Sequence, residues 1–177
     1  MKNSFRIALC SVITALSVLF MLMTMILPVA AYSSVMLTGL CTSLIVEEID
    51  RKYALCSFAA VSILSAVLIP DKESVILYVV FFGYYPVLKD FIETKFKKLV
   101  NFVIKMLVFN SACLISFFTS IYVLSVPKDS FMIGDLYLPW VILIMANLLF
   151  LIYDYTLEVM IRLYRVRFKK YLQKMKR

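Results

Sequence analysis

Six nearly uncharged apolar runs, at about residues 7–27, 29–46, 53–69, 74–88, 99–126 and 139–157, alternate with short breaks that carry charge or proline. A run of about 20 apolar residues is the length that crosses a bilayer as a helix. The pattern predicts an all-α integral membrane bundle of six transmembrane helices, a single transmembrane domain over residues 1–177. The first run follows Lys2 and Arg6 as a secretory leader would, but its twenty-one residues exceed the roughly 7–15 of a leader's apolar core, so it reads as a retained helix closed by Pro28. The fourth run is the unusual one. From Val75 to Leu88 it has fourteen uncharged residues and is interrupted by Gly83-Tyr84-Tyr85-Pro86. At ~1.5 Å per residue it reaches about 21 Å of a ~30 Å hydrocarbon core. It is expected to be short, kinked or partly unwound, which in a membrane protein points to a binding site, because freed backbone groups need protein or water around them. Residues 89–98 (KDFIETKFKK) read as a mixed-charge connector.

Composition agrees with this solvent. The chain is 63% hydrophobic with a mean hydropathy of +0.94, more apolar surface than a core of 177 residues can hide, and the excess faces lipid. A net charge of +8 would suit nucleic acid, but the basic residues cluster at the ends of apolar runs and above all in the 162–177 tail. Only Lys72 and Lys128 fall in the loops after the third and fifth runs, and Lys105 lies inside a run; the rest of the nineteen lie on the side of the two termini. By the positive-inside rule both termini are cytoplasmic, in a multi-pass cell-membrane protein, and the tail is a cytoplasmic anchor.

Chemistry is sparse. Cys10, Cys41, Cys56 and Cys113 lie in separate runs with no C-x-x-C, and there is no histidine, so no zinc site, no His-activated nucleophile and no cofactor is indicated. No G-x-x-x-x-G-K loop occurs, so the chain is not an ATPase, and no catalytic pair suggests an enzyme. Polar residues inside apolar runs are more selective. Asn110 and Asn147 fall in the middle of the fifth and sixth runs, where they either line a shared cavity or hydrogen-bond each other. Lys105 is placed to pair with Asp154 or Glu158. Tyr32, Asp71, Lys72, Glu73, Tyr78, Asp135, Tyr137 and Trp140 gather near the outer mouths. There a helix beginning after Glu73 offers an N-terminus to an anionic group, reinforced by Lys72. Tyr32, Glu73, Tyr78, Tyr84, Asn110 and Asn147 are the candidate ligand contacts. Ala8, Ser11 and Ala15 form a small-residue face on the first helix through which another helix could approach closely.

The chain length, six spans, the small residues of the first helix, Ile26-Leu27-Pro28 and the turn EEIDRKYAL at 47–55 together resemble the substrate-binding S component of energy-coupling factor (ECF) transporters, over about residues 6–157. The resemblance implies a micronutrient importer subunit that takes a small ligand from outside. It would deliver the ligand through a transmembrane coupling protein driven by two ATPase subunits, with Ala8, Ser11 and Ala15 at the coupling contact. Ser11-x-x-x-Ala15 stands where that family has two alanines, and the connection between the first two helices is shorter than the lid many members carry there. The alternative is a non-transporting scaffold similar to the rod-shape-determining Mre D subunit. Polar groups at mid-membrane and outer depth would favour transport; polar groups confined to the cytoplasmic flank would favour the scaffold.

Overall fold

The computed structural model describes residues 3–26, 30–122, 124, 132–133, 136–137 and 139–175, without the side chains of 3, 132–133, 136–137, 139, 140, 142 and 167–175. It is all-helical apart from a two-residue antiparallel pairing of β1 (Met132–Ile133) with β2 (Leu136–Tyr137). The helices are α1 (Asn3–Ile26), α2 (Ala31–Glu48), α3 (Arg51–Leu68), α4 (Lys72–Leu77), α5 (Tyr85–Lys95), α6 (Lys98–Tyr122) and α7 (Pro139–Met175), with a π-helical turn, Tyr78–Phe82, between α4 and α5. Pro28, expected to close the first helix, and Asp135 lie outside the described residues. So do the side chains of Tyr137 and Trp140. Five segments are long and apolar enough to cross a membrane: Ser4–Ile26, Arg51–Leu68, Lys72–Lys95, Lys98–Tyr122 and Leu143–Val166.

Helix α2 is absent from that set and is the centre of the bundle. Its sequence, AYSSVMLTGLCTSLIVEE, is diluted by serine, threonine and glycine. Those small residues form its buried surface: Ser34, Thr38, Gly39, Thr42 and Ser43 face inward with Val35 and Ile45. Thr38 donates to the Ser34 carbonyl at 2.9 Å and Ser43 to that of Leu40 at 2.7 Å, so these hydroxyls need nothing from lipid or water. Small side chains let α1, α3, α4, α5 and α7 all touch one helix. A Cβ on Gly39 would lie 2.7 Å from the Phe82 carbonyl oxygen, closer than real contacts allow. Helix α1 lies against α2 through Ile13, Ser17, Met21 and Thr24, one stripe at helical spacing.

The fourth segment departs from expectation. Rather than unwinding, the chain stays helical from Lys72 to Lys95, twenty-four residues, long enough at ~1.5 Å each to cross the hydrocarbon. What Gly83 and Pro86 do is different. The Gly83 N–H donates to the Tyr78 carbonyl at 2.8 Å, five residues back, which closes the π turn and inserts one residue into the helical phase. Pro86, lacking an N–H, sits in the first turn of α5, where a helix tolerates it. Gly83 is required for space: a Cβ there would come within 2.6 Å of the Phe58 ring. The shift in phase turns Tyr78, Phe81, Phe82, Tyr85, Lys89 and Ile92 all inward. Of this segment's span window 56% is buried, against 17% to 22% in the other four, so it and α2 form the interior. Phe81 is the hub of its aromatic packing, with ring centroids 4.6 Å from Tyr85, 5.1 Å from Phe109 and 5.7 Å from Phe150.

Two further boundaries move. The connector expected at 89–98 shrinks to Phe96 and Lys97, because Lys89, Asp90 and Glu93 belong to α5. The last helix continues without a break past residue 157 to Met175, so the basic tail begins as an extension of α7. Arg165 on that extension is bound to Glu47 of α2 through two hydrogen bonds of 2.8 and 2.6 Å.

Candidate functional site

The bundle has a near end, where α1 begins and the 49–50 and 96–97 turns lie, and a far end, where α3 meets α4 and α6 stops. Each holds a cavity of about 650–660 Å³. Their walls are chemically opposite.

At the near end α5 presents Tyr85, Lys89 and Glu93 four residues apart, hence on one face. Helix α6 presents Lys105 and α7 presents Asp154. Lys89 Nζ donates to Asp154 Oδ1 at 2.6 Å and to the Asp154 main-chain oxygen at 2.7 Å. The Tyr85 hydroxyl donates to Oδ1 at 2.6 Å. Lys105 Nζ reaches Asp154 Oδ2 at 3.1 Å and Glu93 Oε1 at 2.6 Å, so the pairing of Lys105 with Asp154 suggested by the sequence is present. Glu93 also lies 3.5 Å from Lys89. The two lysine side chains are only 3% and 9% exposed while Glu93 is 41% exposed, so the cations are buried and the cluster opens to the cavity through Glu93: two cations, two carboxylates and a phenol joining three helices with charges balanced. Around it the near cavity is lined by both signs, with Glu47, Asp90 and Glu158 facing Lys98, Arg162 and Arg165. Asp90 accepts from Arg51 Nε at 2.6 Å, which ties α3 in as well. No group of three or more metal-ligating side chains occurs among the described residues.

Beyond this cluster α6 and α7 are tied once more. Asn110 and Asn147 exchange reciprocal amide hydrogen bonds, both 3.1 Å, and each donates its second N–H to a carbonyl one turn back, Met106 and Leu143, at 2.8 Å. Every amide hydrogen is engaged, and neither residue lines the near or the far cavity. These two are therefore a tie between helices in place of the ligand contacts expected of them.

The far cleft lies between α2, α4, α6 and α7 and reaches down to the stacked Phe109 and Phe150 rings beside that tie. Its wall is Phe82, Phe109, Phe117, Phe118 and Phe150 with Met36, Leu77, Leu114 and Leu149, and its polar members are Tyr32, Glu73, Ser116 and Ser120. Tyr32 and Glu73, expected together at an outer mouth, are thus brought to one cleft. The other two tyrosines are not. Tyr78 is fully buried with its ring 5.9 Å from Phe58, and Tyr84 meets the same Phe58 ring edge-on at 6.1 Å. The anion site expected at the start of the fourth helix is filled from within: Asp71 is the N-cap, accepting from the Ser74 N–H at 3.4 Å and from the Ser74 hydroxyl. Lys72 turns away, and its Nζ donates to the Ala66 and Ile69 carbonyls at 2.9 and 2.8 Å, capping α3.

The small-residue face of α1 is settled by geometry. Ala8, Ser11 and Ala15 are exposed on the outside of the bundle, opposite the stripe that packs on α2, and Ser11 donates to its own helix at the Ile7 carbonyl, 2.9 Å. Sequence reasoning missed Lys89 and Glu93 by assigning them to a connector, and with them the face that Tyr85 shares. The signal was there: proline is favoured in the first turn of a helix, and 85, 89 and 93 follow a helical period from it. No protein-family model, curated protein or solved structure matches the chain.

Proposed function

We propose that the chain crosses the cell membrane six times with both termini cytoplasmic, and captures a small ligand at the far, outward end for an importer whose ATPases are separate chains. Helix α2 is the sixth span. Its 18 residues reach about 27 Å, and a helix enclosed by others need not be apolar to lie in a bilayer. The distribution of lysine and arginine supports the orientation: Lys98, Arg162 and Arg165 border the near cavity, and the far end carries Asp71 and Glu73.

The observation that carries this reading is the far cleft, a preformed hollow of ligand size between α2, α4, α6 and α7, with polar groups placed at a few points on an aromatic wall. The exposed Ala8, Ser11 and Ala15 face supports docking on a transmembrane coupling protein, since none of the described residues buries it. Native mass spectrometry of the gently purified protein tests the capture role. A small molecule is expected on the wild type and absent from Ala146→Phe and Ser120→Phe, which fill the cleft. Equal occupancy in all three would overturn it. Ser11→Leu with Ala15→Leu is expected to prevent co-purification of the coupling subunits while leaving the small molecule bound.

A second reading, the membrane scaffold similar to the Mre D subunit, is favoured by one observation. The mid-membrane amides are closed on each other, and most polar lining belongs to the near, cytoplasmic cavity. A scaffold keeps its partners when the far cleft is filled; a capture subunit keeps its partners but loses its ligand.

A further inference from the structure

Resting on the capture reading, we propose that the far cleft selects an organic cation: a compact apolar or aromatic body carrying one protonated nitrogen. Three features converge. The first is charge. Glu73 is the only charged side chain in the described wall of the cleft, and among the described residues it has no ion-pair partner. The adjacent cation, Lys72, is held away by the Ala66 and Ile69 carbonyls, and the adjacent carboxylate, Asp71, is engaged with Ser74. Among the described residues no cation contacts the Glu73 carboxylate at the mouth, and an anion entering there would meet repulsion from both Asp71 and Glu73.

The second feature is the wall. Faces and edges of Phe82, Phe109, Phe117 and Phe150 line the hollow. Rings attract a cation through their quadrupole and accept an apolar body through burial, and they do nothing for a carboxylate or phosphate. The third is a single interior polar point. The Ser116 hydroxyl, on the cleft wall, is buried without a hydrogen-bond partner, so one polar atom of a ligand can be met there and little more. A sugar or a nucleotide, with many hydrogen-bonding groups, would leave most of them unmatched. A volume of about 660 Å³ admits a molecule of one or two rings.

The test uses the full chain in lipid nanodiscs and three matched probes: phenethylammonium, phenethyl alcohol and phenylacetate, followed by calorimetry or thermal shift. The ammonium is expected to bind most tightly and the carboxylate least. Glu73→Gln is expected to weaken the ammonium by about five-fold, the upper range for a partly solvated ion pair, and to leave the alcohol unchanged. Alcohol or carboxylate binding as tight as the ammonium, or an ammonium affinity indifferent to Glu73→Gln, overturns the cation assignment. If the alcohol still binds and Ser120→Phe abolishes it, the cleft remains a ligand site, one for a neutral molecule or a lipid chain, and the capture reading survives. If none of the three distinguishes wild type from Ser120→Phe, both fall.

Discussion

Helices α6 and α7 run the length of the molecule side by side, yet their two halves behave differently. In the near half Lys105 meets Asp154 and Asn110 meets Asn147, with the Phe109 and Phe150 rings stacked at 4.5 Å between these ties. In the far half no polar contact joins them among the described residues, and a cleft opens. The contrast teaches what holds membrane helices together. Apolar side chains have no preference for one another over lipid tails, so helices stay joined where polar groups or close-fitting shapes pair them, and part where neither is present. The near half is tied by polar pairs, and the far half leaves the hollow on which the proposed capture role rests.

Breaking the near half should have the largest effect. Asp154→Ala leaves the two buried lysines only the half-exposed Glu93 and is expected to cost about 3 kcal/mol, the low end for breaking a buried pair, read as a large fall in thermal midpoint in mild detergent. A loss under 1 kcal/mol would show that water reaches the cluster and that it holds nothing. Next comes Gly83→Leu, which forces a side chain onto Phe58 and Tyr78 and is expected to cost about 1–3 kcal/mol. Its effect should reach both halves, since the π turn orients Tyr85 toward one and Phe82 toward the other. Asn110→Ala, leaving Asn147 without its partner, is expected to cost about 0.6–1.7 kcal/mol, whereas the double change to leucine should cost less than the single one. The smallest effect sharpens the comparison from outside: Arg162→Ala removes an exposed pair with Glu158 and should change stability by no more than about 0.5 kcal/mol.

Some of this was legible beforehand for a plain reason. A lipid-facing residue announces itself by its own hydropathy, so the apolar runs, the charged breaks and the exposed helices α1, α3 and α6 are visible one residue at a time. Lys105 and Asp154 stand out by the same logic, as charges where charge is costly. The interior is harder. Ser34, Thr38 and Thr42 look like a weakening of the second span until the surrounding helices show that it faces no lipid. Lys89 looks like a connector residue until α5 is seen to continue through it, because a lysine three residues past a proline has the same local sequence whether it is solvated or buried.

The sequence by itself determined the helical class, the approximate limits of the apolar segments and the breaks at which basic residues gather, all of which follow from the free energy of single residues in water and in an apolar medium. Only the tertiary structure decided which polar groups face each other: that Asn110 closes on Asn147, that Lys72 turns back to cap the preceding helix, and that Glu73 stands at the mouth of an aromatic hollow with no ion-pair partner among the described residues. Those outcomes depend on how the helices are rotated against one another, and within the fourth segment one residue inserted at the π turn sets how Tyr85, Lys89 and Glu93 are turned relative to the residues before it.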